Sequence, residues 1–163
     1  MCLDPPEVVI LDACAILWTV CWPGQPAKVS YVVSAAVATI LRYADTATQV
    51  LHVVFDRYHQ LSTKSCCRAG RQKGFSRLYM LSKSIPIPKQ TLVLTVTANN
   101  KLQVIKMIVD RLSIMEPLKE KKVITTGPDL QPVCMGVGPL QTAVHHEEAD
   151  VLVAYHLLQE ARN

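Results

Sequence analysis

Apolar residues in this chain fall into short unbroken runs that alternate with longer stretches of helical spacing. Residues 7–11, Glu-Val-Val-Ile-Leu, are a β-branched run of the kind found in a buried parallel strand, and the run stops at Asp12. Residues 29–43 contain neither Gly nor Pro and are spaced as a buried helix. Residues 51–55, Leu-His-Val-Val-Phe, read as a second buried strand, again ended by an acid, Asp56. A polar stretch over 57–84 follows, closed by Ile85-Pro-Ile-Pro88, which cannot be helix interior because proline lacks the amide and crowds the residue before it.

Asn99 or Asn100 is expected to cap a helix in which Leu102, Ile105, Ile108, Val109 and Leu112 recur at helical spacing. Residues 122–126 predict a third strand, ended by Gly127-Pro128, and residues 133–135 a short further one. A last helix opens at His145-His-Glu-Glu-Ala-Asp150 and runs to about residue 160. Strands alternating with helices predict an α/β fold: a parallel central sheet with helices on both faces, a three-layer arrangement of the Rossmann type in one domain over residues 1–163. Ligands of open parallel sheets bind beyond the carboxyl ends of the strands, so Asp12 and Asp56 stand where chemistry is expected.

Composition narrows the class. With 163 residues, 50% apolar and 18% charged, the chain can bury a core and is unlike a disordered tail. No apolar run reaches the roughly 18 residues of a membrane span. The closest, residues 8–22, carries Asp12 and follows Asp4 and Glu7 instead of the basic start of a signal peptide. The six cysteines, at 2, 14, 21, 66, 67 and 134, lack disulfide-scaffold spacing and are expected to be reduced. An intracellular protein, nuclear or cytoplasmic and with no membrane partner, is therefore expected. A zinc site on His59, Cys66 and Cys67 is disfavoured because adjacent cysteines rarely chelate one tetrahedral ion.

The net charge is +4, unevenly placed: ten basic residues and no acid lie between Arg57 and Val109, with acids on either side. Such a layout suits a polyanion held by one segment and acted upon by another, although a charge run alone is more often a solvated helix face. Nucleotide-binding glycine loops and a Ser-His-Asp arrangement are absent from the sequence. His145 and His146 are expected to cap or face solvent, and Trp18 and Trp22 to belong to the core.

The acids form the informative constellation. Asp12 and Asp56 each follow a strand, and Glu147, Glu148 and Asp150 crowd the first turn of the last helix. Singly, each is explained as a cap, a turn or a dipole partner. Together they would make an oxygen-rich pocket suited to Mg²⁺ or Mn²⁺, and paired ions of that kind hydrolyse phosphodiesters.

Ile10-Leu-Asp12-Ala-Cys-Ala-Ile-Leu resembles the first motif of the flap endonuclease/XPG-like branch of the PIN-like domains, Val53-Val-Phe-Asp56 its second, and Glu148-Ala-Asp150-Val-Leu-Val-Ala-Tyr155 its internal helix motif. Phe55-Asp-Arg-Tyr58 and His146-Glu-Glu-Ala-Asp150 also resemble segments of uncharacterised animal proteins with this kind of domain. The resemblance implies a metal-dependent nuclease acting on DNA or RNA, with Asp12, Asp56, Glu148 and Asp150 as catalytic metal ligands and Glu147 as a further one. It also implies phosphate contacts by Lys64 and Arg71, and the basic segment adds Arg68, four residues from Lys64, and Lys73. Three departures stand out, the first being His145-His146 where a Pro-Gly pair is usual. Asp150 replaces the usual Glu, and the family's acidic strand after the last helix is missing before Asn163, so a truncated domain with weak or no activity is expected. The alternative is a non-catalytic PIN-like module binding nucleic acid or a protein. The oligomeric state is left open.

Overall fold

A computed structural model describes residues 5–47, 49–56, 78–115, 121–126 and 133–136, with residues 153, 154, 157, 158 and 161 of the last segment. Four strands, β1 (Val8–Asp12), β2 (Val50–Val54), β3 (Lys122–Thr126) and β4 (Val133–Gly136), form one sheet in the order β1-β2-β3-β4. The first three are parallel, with Val8 opposite Val50 and Val50 opposite Lys122. β4 runs antiparallel to β3. The reason is connection length: residues 127–132 are too few for the crossover of about a dozen that a parallel neighbour requires.

Helices α1 (Ala13–Thr19), α2 (Val29–Ala44), α3 (Gln90–Leu94) and α4 (Ala98–Leu112) complete the described architecture. Side chains alternate across a strand, so Val9, Leu11, Leu51, Val53 and Val123 face one side and join a single core with the helices. Ile10, Val54 and Val153 pack together on the other side, and residues 153, 154, 157 and 158 are helical. The result is an α/β fold with helical layers on both faces of the sheet. Among the described strands the order never reverses; steps always in one direction with right-handed crossovers put α2 and α4 on the same face. β2, flanked on both edges and covered on both faces, is buried from Leu51 to Val54.

Two expectations are corrected. Trp18 is 47% exposed instead of buried. In α1 the inward stripe is Ala13, Cys14, Ile16 and Leu17, which leaves Ala15, Trp18 and Thr19 on the outer face at helical spacing. Trp22 does pack against the core, and its indole N–H donates to the Pro88 carbonyl at 2.9 Å. The cap of α4 is Thr97, whose hydroxyl accepts the Asn100 amide at 3.1 Å, and not Asn99 or Asn100. Asn100 is fully buried one turn inside, where its Oδ1 accepts the Tyr79 amide and its Nδ2 donates to the Leu92 carbonyl. Among the described residues no helix is long and apolar enough to cross a membrane.

Candidate functional site

Asp12 closes β1 and at once N-caps α1: its Oδ1 accepts the amides of Cys14 at 2.9 Å and Ala15 at 3.1 Å. An acid at this junction satisfies amides that a helix start leaves without partners and meets the positive end of the helix dipole. One strand over, Asp12 pairs with Val54, and Asp56 lies two residues further along the same direction. Strand spacing then sets the two aspartates roughly 5 Å apart sideways and roughly 7 Å along the strands, on one edge of the sheet.

Cys14 joins them. Its amide is held by the Asp12 carboxylate, and its sulfur accepts the Asp56 amide at 3.1 Å. Burial pushes the Cys14 thiol up to about 11, an effect that the Lys101 charge opposes and the Asp56 charge reinforces, so at neutral pH this sulfur is a neutral thiol. The end of β2 is fixed from its other neighbour, since the Phe55 amide donates to Thr126 Oγ1 at 3.0 Å and the same hydroxyl donates to the Phe55 carbonyl at 3.3 Å.

The residue that sequence reasoning missed is Lys101. From the first turns of α4 its Nζ reaches Asp56 Oδ2 at 2.9 Å, with the two side chains 6% and 21% exposed. A signal was available. Lys101 falls on the same helical stripe as Val104, Ile105 and Ile108, and a lysine on an inward stripe is seldom buried without a partner.

Of the sequence-predicted ligands, Asp12 and Asp56 share the carboxyl edge, while Glu147, Glu148 and Asp150 lie outside the described residues. The same holds for the basic candidates Lys64, Arg68, Arg71 and Lys73. Among the described residues no group of three or more His, Cys, Asp or Glu side chains could hold a metal ion. Two hard-oxygen donors from adjacent strand ends are nonetheless a chemically suitable start for Mg²⁺ or Mn²⁺. Asp12 Oδ2 carries no hydrogen bond among the described residues, while Asp56 Oδ2 already faces a cation, the Lys101 ammonium. Comparison with known proteins finds no matching family model, no matching curated protein and no matching solved structure.

Proposed function

We propose that the chain is a divalent-metal-dependent nuclease domain that hydrolyses phosphodiester bonds in DNA or RNA, centred on Asp12 and Asp56. One observation carries this reading: two acids that end neighbouring parallel strands sit on one edge and are tied together through Cys14. Asp12, through Oδ2, and Asp56 would hold Mg²⁺ or Mn²⁺, with Glu147, Glu148 and Asp150 as the further ligands that the resemblance implies. The bound ion would supply an activated water and stabilise the leaving oxygen. The protein's own part is positional. The cap amides fix one oxygen of Asp12, Lys101 fixes one oxygen of Asp56, and the Lys101 ammonium adds a positive charge at the edge a phosphate would approach. Lys64, Arg68, Arg71 and Lys73 would grip the nucleic-acid backbone.

A second reading draws on the Lys101–Asp56 pair itself. A built-in cation on Asp56 also suits a non-catalytic module in which that carboxylate has been neutralised and only binding remains. Cleavage of single-stranded, flap and hairpin substrates with Mg²⁺ or Mn²⁺, alongside binding of the same substrates, separates the two. The nuclease reading expects metal-dependent cleavage that Asp56→Asn abolishes while binding persists. Binding without cleavage by the wild-type chain favours the module, and neither binding nor cleavage overturns both.

A further inference from the structure

The described residues include an open cleft of about 700 Å³ whose walls include Trp22, Tyr79, Ile85, Pro88 and Leu92, with Lys89 as the one charged residue among the described lining. The Trp22 ring and the Tyr79 backbone are held by hydrogen bonds before any ligand arrives. The Trp22 indole is pinned through its N–H to Pro88, and the Tyr79 backbone is clamped on both sides, its amide by Asn100 Oδ1 and its carbonyl by Gln103 Nε2. Two exposed lysines have their backbones close to this wall: Lys28 stands opposite Pro86 in an isolated bridge, and the Lys83 carbonyl accepts the Ser30 amide. None of the described residues lining the cleft is acidic.

We infer that this cleft is a base-stacking subsite for single-stranded nucleic acid, its aromatic and proline walls taking unstacked bases and Lys89, Lys28 and Lys83 taking the adjoining phosphates. The inference rests on the nucleic-acid reading above and deepens it. Charge complementarity chooses the occupant. An apolar cleft whose described charge is the Lys89 ammonium, with exposed Lys28 and Lys83 close by in the backbone, favours a ligand that is both aromatic and polyanionic, and stacked bases on a phosphate backbone meet both demands. Preset walls also lower the ordering cost of binding.

The test uses a short oligo(dT) and a short oligo(U), without divalent metal, in a Trp18→Phe chain that leaves Trp22 as the sole tryptophan. Oligonucleotide binding should quench Trp22 fluorescence. Gly24 lines the cleft and a Cβ built there meets nothing within 4 Å, so Gly24→Leu should fill the cleft without disturbing the fold. It should weaken binding about tenfold, the cost of about one lost stacked base. Lys89→Gln should lower the salt slope by about 0.7 for the one phosphate contact removed. Oligonucleotide binding that leaves Trp22 fluorescence and the Gly24→Leu affinity unchanged overturns the inference while sparing the nucleic-acid reading. Absence of any oligonucleotide binding overturns both. Quenching by a proline-rich peptide but not by the oligonucleotides, or self-association abolished by Gly24→Leu, assigns the cleft to those occupants instead and also overturns it.

Discussion

Lys101 Nζ stands 2.9 Å from Asp56 Oδ2, and Asp56 is thus a member of a largely buried ion pair at the carboxyl end of the central strand. A pair of this kind is weak evidence for stability in itself, because desolvating two charges offsets their attraction, but removing one partner deprives a largely buried charge of this compensation.

Lys101→Met should therefore destabilise the protein by about 3 kcal/mol, and the double variant Lys101→Met/Asp56→Leu should recover most of that loss. Urea unfolding at neutral pH measures both. The same variant bears on function, since Mn²⁺ should raise the unfolding midpoint of Lys101→Met more than that of wild type if an ion can take the place of the ammonium. An equal shift in both proteins would show that Lys101 does not compete with the metal.

Asp12 separates structure from chemistry in one position. Asp12→Ala should cost about 1 kcal/mol through loss of the α1 cap, whereas Asp12→Asn, an equally good cap, should leave stability nearly unchanged while removing the charge. Under the nuclease reading Asp12→Asn should be inactive but folded. Thermal unfolding and the cleavage assay together check this, and full activity in Asp12→Asn would exclude Asp12 as a metal ligand.

The strands were legible because burial on both faces leaves only apolar, β-branched residues to choose from, and each run was located to within a residue of its observed bounds. That Asp12 and Asp56 end two of these strands followed from the same pattern. Their placement on one edge needed only the parallel pairing that βαβ order implies. Lys101 was not legible from its charge, being one of ten cations in an acid-free segment. Its partner lies 45 positions away, and only tertiary packing of α4 against the sheet brings them together. Trp18 was misjudged because its neighbours are apolar: in a helix the face, not the local hydropathy, decides burial. The Thr97 cap was missed for a related reason, since Asn100 is a good capping residue by type but is needed inside the helix to hold Tyr79 and Leu92.

That role of Asn100 has an energetic consequence. Asn100→Ala would leave the Tyr79 amide and the Leu92 carbonyl without this partner, and a buried polar group stripped of its hydrogen bond costs about 1–3 kcal/mol. Because Tyr79 forms a wall of the cleft, hydrogen exchange at its amide should accelerate more than the global loss of stability accounts for. Exchange at Tyr79 that tracks global unfolding alone would show that the backbone there is held by other contacts.

The pH dependence of stability should carry the mark of Cys14. Its thiol is raised from 9.0 to about 11 in the folded protein, chiefly by burial, so folding favours the neutral form. Stabilisation from this group is complete below the unfolded value near 9 and is lost as pH rises toward about 11, amounting to no more than about 3 kcal/mol. Lysines and tyrosines titrate in the same range, so the contribution is isolated by comparing wild type with Cys14→Ala. The gap between their unfolding free energies should be constant from pH 7 to about 8.5 and should shrink above pH 9 as the unfolded wild-type chain gains a thiolate that the folded chain resists. Alkylation offers an independent check. At pH 8 iodoacetamide should modify the exposed Cys21 readily and Cys14 only at the rate of opening, because a buried neutral thiol is a poor nucleophile. A gap that stays constant to pH 11, together with equal alkylation of the two cysteines, would mean that the Cys14 sulfur is not buried between Asp12 and Asp56, and the link between the two strand ends would be lost with it.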